Sequence, residues 1–128
     1  MILIKSSNEE ESLCYVETKN LDGETNLKTK YVPQDLAPLS NQRGFIDELL
    51  KDRRNLTLNV EEPNNMIYKF DGNMQFSNFN QNSRLIDAPS NTKTIALNNE
   101  HVLLRGMSLK NTEKVWGIVI YTGHETKL

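Results

Sequence analysis

The chain has 128 residues, 37% of them hydrophobic and 25% charged, with a formal net charge of -2. That length supports one domain with its own core, and the mixed charge gives no cationic field for a polyanion, so no nucleic-acid partner is expected. The single cysteine, Cys14, excludes an internal disulfide and a cysteine-built metal cluster, while no run approaches the ~20 apolar residues of a membrane helix.

Taken in order, residues 2–4 (Ile-Leu-Ile) read as a buried strand. Lys5 follows too soon for the apolar segment of a signal peptide. Residues 6–12 are polar and form a loop. Residues 13–18 alternate as a strand does, with Cys14, Val16 and Thr18 on one face and Leu13, Tyr15 and Glu17 on the other. A loop follows, and residues 26–32 return as a second strand, which Pro33 ends because it cannot donate to a ladder. Residues 33–40 carry two prolines and read as a connector. Ser40 or Asn41 then caps a helix predicted over 42–53, with Phe45, Ile46, Leu49 and Leu50 inward.

Residues 56–60 alternate again, with Leu56, Leu58 and Val60 inward. Residues 61–65 are a turn, and 66–70 a strand closed by a hairpin turn at Asp71-Gly72-Asn73. Residues 74–79 form a short strand. The stretch about 80–92, rich in Asn, Gln and Ser, is expected to be a mobile surface loop. Strands are predicted at 94–97, 107–110 and 115–121, with a turn at 98–100. About nine short strands and one sizeable helix give a mainly β domain, most economically a double-sheet β-sandwich or distorted jelly roll.

The stretch that carries chemistry is Leu21-Asp22-Gly23-Glu24-Thr25-Asn26-Leu27-Lys28. Asp-Gly is a turn signal, since glycine accepts φ > 0 without strain. Such a turn lifts Glu24 to a loop tip, while Thr18, Asn20, Thr25 and Asn26 can hydrogen-bond local backbone and stiffen it. A stiff loop presenting one carboxylate is what water activation requires. An Asp-Gly turn alone is more often only a surface hairpin.

The longer string resembles the signature loop of the actuator domain in type-IV P-type ATPases, the phospholipid flippases. Three further blocks share the resemblance: Cys14-Tyr15-Val16-Glu17-Thr18, then Glu62-Pro63-Asn64-Asn65 with Tyr68, Phe70 and Gly72, and Leu103-Leu104-Arg105-Gly106 through Tyr121-Thr122-Gly123-His124-Glu125-Thr126-Lys127. Cation-pumping relatives usually read Thr-Gly-Glu-Ser at the loop, so Asp22, Thr25 and Asn26-Leu27-Lys28 point to the lipid branch.

The resemblance implies a distorted jelly roll and a catalytic role for Glu24, which would activate water to hydrolyse an aspartyl phosphate on another domain. Asp22, Gly23 and Thr25 would shape the loop and let a phosphate approach, with Asn26 and Lys28 in support. It also implies that the N-terminal helical part and the membrane, phosphorylation and nucleotide-binding domains lie outside these residues. ATP and Mg2+ would be bound there, with no cofactor or metal in this stretch. Partners would be those domains of the same polypeptide, phospholipid through the membrane helices, and an accessory subunit. The 128 residues themselves would be a soluble, inactive monomer on the cytosolic face of a membrane.

Other constellations are weaker. His101 and His124 lack ligand-spaced partners for zinc. No Gly-x-Ser-x-Gly elbow or phosphate-binding glycine loop of the Gly-x-x-x-x-Gly-Lys kind occurs. Asn55-Leu56-Thr57 is a formal glycosylation site that the cytosol would not use. Trp116 reads as core. The alternatives to the flippase reading are a non-catalytic jelly-roll binding module and the actuator of a cation pump.

Overall fold

The computed structural model describes residues 1–51, 56–64, 66, 69–76 and 93–122. Eight strands among these residues form three antiparallel sheets: β1 (Ile2–Ser6) with β8 (Val115–Ile118); β3 (Leu27–Tyr31), β2 (Leu13–Glu17) and β7 (Ser108–Lys110) in the order 3-2-7; and β4 (Leu56–Val60), β5 (Asp71–Phe76) and β6 (Lys93–Asn98) in the order 4-5-6. The chain is mainly β and sandwich-like, as its alternating stretches predict.

β1 is apolar over Ile2, Leu3 and Ile4 because it is enclosed from both sides. It pairs with β8 through Ile2↔Ile118 and bridges Val102 at Ile2. Ile2 and Leu3 are fully buried. They join a core that includes Cys14, Val16, Leu36, Phe45, Met74, Phe76 and Ile95. Phe45 meets the Phe76 ring edge-on at 6.4 Å. In β2 the two predicted faces separate, and the structure buries the one that carries Cys14, Val16 and the adjoining Thr18. In β4, Leu56, Leu58 and Val60 are half-buried and Thr57 and Asn59 exposed.

Two local expectations are corrected. The helix predicted over 42–53 begins later, as α3 (Phe45–Lys51), and a separate short helix, α2 (Ala37–Ser40), occupies part of the predicted connector. Pro38 does not prevent α2, since a first-turn proline gives up no helical hydrogen bond. The two helices stay apart because Asn41 caps α2 and Gly44, at φ +84°, breaks the right-handed path. Phe45 and Leu49 face the core as expected, but Leu50 is 61% exposed.

The hairpin turn expected at Asp71-Gly72-Asn73 is instead the start of β5, with Gly72 opposite Val60 and Leu97. Glycine serves close packing there, since a Cβ would lie 2.7 Å from the Asn59 carbonyl oxygen. The strand predicted at 94–97 is β6, and the turn at 98–100 is a 3-10 turn, Asn99–His101, where the Asn98 side chain accepts the Glu100 N–H. Trp116 is half-buried against the core, with the Lys5 and Lys114 ammonium groups 5.6 and 5.4 Å from its ring centre. The loop expected at 80–92, the end of the predicted helix, Asn55, Asn65, Tyr68 and the segment 123–128 lie outside the described residues.

Candidate functional site

The loop between β2 and β3 is built on one helical turn, α1 (Lys19–Asp22). The Leu21 and Asp22 N–H groups donate to the Thr18 carbonyl at 2.8 and 3.0 Å, and the Gly23 N–H to that of Lys19 at 2.9 Å. Gly23 then leaves the turn in the left-handed region, at φ 77° and ψ -1°. The connection is thus a glycine-capped helical turn and not the tight hairpin the dipeptide suggests.

Side chains fix the backbone beyond Gly23. Asp22 Oδ1 accepts the Glu24 N–H at 3.0 Å, closing an Asx turn around Gly23. The same oxygen accepts the Thr18 hydroxyl at 2.9 Å. Asp22 therefore shapes the loop. The Thr18 hydroxyl, expected to serve backbone, serves this carboxylate instead. The Thr-x-x-x-Asp spacing, one helical turn, is the sequence signal that discloses it.

Glu24, Thr25 and Asn26 are exposed. The Glu24 carboxylate is turned outward, its side chain 50% exposed, and forms an ion pair with the Lys28 ammonium, whose side chain is 40% exposed. That contact raises Lys28 above the ordinary lysine range, chiefly by its hydrogen bond to the carboxylate. Lys28 is itself set by register, since it lies opposite Val16 in the β2–β3 ladder. A Cβ at Gly23 would meet nothing within 4 Å, so the flank of the loop is open to a second body. The arrangement is one outward carboxylate on a backbone fixed at Thr18, Asp22 and Gly23, with a cation beside it.

The other candidates lie elsewhere. His101 is buried, with Nδ1 3.1 Å from the Tyr31 carbonyl oxygen, and has a packing role. Burial pushes the Cys14 thiol up to about 11. Lys30, opposite Cys14 in the ladder, is buried with its ammonium donating to the Asn99 carbonyl at 2.8 Å, and burial lowers its pKa. Among the described residues no group of three His, Cys, Asp or Glu side chains could hold a metal ion. No helix there is long and apolar enough to cross a membrane. An apolar cleft of about 480 Å³, lined by residues such as Val16, Leu103, Met107, Leu109 and Val119, does not include the loop.

No family model matches the chain. It is similar to named proteins along nearly its whole length. Phospholipid-transporting ATPase DRS2 of Saccharomyces cerevisiae is 40% identical over 126 residues, covering 98% of this chain and 8% of the relative. A phospholipid-transporting ATPase of Schizosaccharomyces pombe is 38% identical over 127 residues, 99% of this chain and 9% of the relative. Phospholipid-transporting ATPase IH of Mus musculus is also 38% identical, with the same 99% and 9% coverage. The chain thus spans less than a tenth of the length of the curated relatives it matches.

Proposed function

The chain belongs to the phospholipid-transporting ATPases, and from that membership we propose that it is the actuator domain of such an enzyme, a distorted jelly roll carrying the dephosphorylating loop. The observation that carries this reading is the outward Glu24 carboxylate on a loop held by the Thr18–Asp22–Glu24 hydrogen bonds. A carboxylate so placed can reach a phosphorylated group on another body.

In this mechanism an aspartyl phosphate stands on the phosphorylation domain of the same polypeptide. The loop docks, and Glu24 orients a water and takes its proton as the water attacks phosphorus in line with the leaving aspartate oxygen. The P–O bond to aspartate breaks, giving free aspartate and inorganic phosphate. Gly23 leaves room for the phosphoryl group, and the Thr25 N–H can meet its oxygens, whereas the Gly23 N–H already donates to the Lys19 carbonyl. Lys28 keeps the Glu24 side chain at the loop edge until the phosphoryl anion competes for the ammonium. Asn26 supports the loop where it enters β3. ATP and Mg2+ chemistry belongs to other domains, and lipid crosses through membrane helices, with this domain on the cytosolic face. The cation-pump alternative is set aside because the relatives are named as phospholipid-transporting.

The test is Glu24→Gln in the full-length enzyme, which keeps the shape and removes the base. Phosphoenzyme should form from ATP and then decay about 100-fold or more slowly, the usual contribution of a general base. Decay at the wild-type rate would refute the assignment.

A further inference from the structure

Thr18 lies at the buried end of the loop, and in the dephosphorylation mechanism it takes no proton and meets no phosphoryl oxygen. It continues the core face of β2 after Cys14 and Val16, and only 3% of it is exposed. A β-branched side chain packed there has little rotamer freedom. Its hydroxyl reaches Asp22 Oδ1 at 2.9 Å, and the Glu24 N–H reaches the same oxygen at 3.0 Å. Two donors converge on one carboxylate oxygen, one from the core and one from the backbone of the residue proposed to activate water.

We propose that Thr18 is a positioning residue for dephosphorylation, fixing the rotamer of Asp22 and through it the backbone of Glu24. The inference rests on the actuator reading and adds to it a route from the core to the reacting group. Packing alone does not require a hydroxyl, because valine has the same shape and would fill the same space. What valine cannot supply is the donor. Without it the Asx turn depends on Asp22 and Gly23 without the anchor in the core, and Glu24 samples more positions. Placement errors of about 1 Å are enough to slow an oriented reaction by one to two orders of magnitude.

The experiment follows phosphoenzyme formed from labelled ATP by the full-length enzyme, and its decay after a chase. Thr18→Val should reach wild-type phosphoenzyme levels, which shows that it folds, and then decay about tenfold more slowly, the effect expected from losing one hydrogen bond to a charged group. Thr18→Ser, which keeps the hydroxyl, should decay within about twofold of wild type. In an Asp22→Ala background, Thr18→Val should add no further slowing, since the acceptor is already gone. If T18V accumulates poorly, the pair T18A and T18S, both without the methyl group, carries the same comparison. Wild-type decay in T18V overturns the proposal. So does equal slowing in the hydroxyl-bearing and hydroxyl-free variants, which assigns the effect to packing, or full multiplication of T18V with D22A. Normal decay in E24Q would instead remove the actuator reading itself, whereas slow E24Q with normal T18V removes only the role of Thr18.

Discussion

Replacing Gly23 by alanine separates what this glycine does for folding from what it does for chemistry. Its φ of 77° lies in the left-handed region, where an L side chain costs roughly 1–2 kcal/mol. A Cβ at this position has nothing within 4 Å, so no clash adds to that cost. The expected loss for G23A is therefore about 1–2 kcal/mol, seen in the chain's urea denaturation as a midpoint lower by roughly 0.5–1 M for an m-value of about 2 kcal/mol/M. Asparagine tolerates this conformation better, and G23N should lose less than half as much. A loss above about 3 kcal/mol, beyond the left-handed penalty, would mean that the Cβ meets something the geometry does not contain. An unchanged midpoint would mean that residue 23 is not held left-handed. In the full-length enzyme, slowing of phosphoenzyme decay beyond what the stability loss explains would mark the space beside Gly23 as the phosphoryl approach.

Further outcomes are expected. Lys28→Met should leave the chain's urea midpoint unchanged, because exposed ion pairs contribute little to stability, yet slow phosphoenzyme decay severalfold in the full-length enzyme, with K28R restoring it; wild-type decay in K28M would remove Lys28 from the mechanism. Gly72→Ala should destabilise by about 1–3 kcal/mol, since the new Cβ would lie 2.7 Å from a backbone oxygen that the ladder holds in place; thermal denaturation checks this. Burial raises the Cys14 thiol from 9.0 to about 11, so the folded chain holds that proton more tightly than the unfolded one. Its stabilising contribution is full below pH 9 and is lost as pH rises toward 11. Lys30, lowered by burial, acts with the opposite sign, and the difference between wild type and C14A across that range reports the thiol together with its charge coupling to Lys30; a flat difference curve would contradict the burial.

Periodicity discloses those elements whose environment differs from one face to the other. β2 and β4 alternate because one side meets the core and the other does not, and the grouping of Cys14, Val16 and Thr18 on one face is legible for that reason, though which face is buried is not. β1 declares itself as an apolar run because it is covered on both sides. Asp71-Gly72 misleads because an Asp-Gly pair is written the same way whether glycine turns the chain or makes room for the carbonyl of a neighbouring strand. The late start of α3 depends on Gly44 taking a left-handed conformation that the sequence permits but does not compel. The carboxylate of Glu24 can be read from the loop string, but its pairing with Lys28 depends on the register of β3. The division into three sheets rests on contacts such as Ile2↔Ile118, which no local pattern encodes.

The pairing of β1 with β8 has a mechanical corollary. Adjacent antiparallel strands stand only about 4.8 Å apart, so Ile2 and Ile118, far apart in sequence, are fastened directly across one ladder. Pulling Ile2 and Ile118 apart would load that ladder one rung at a time, so this seam is where a stretching force would first open the fold.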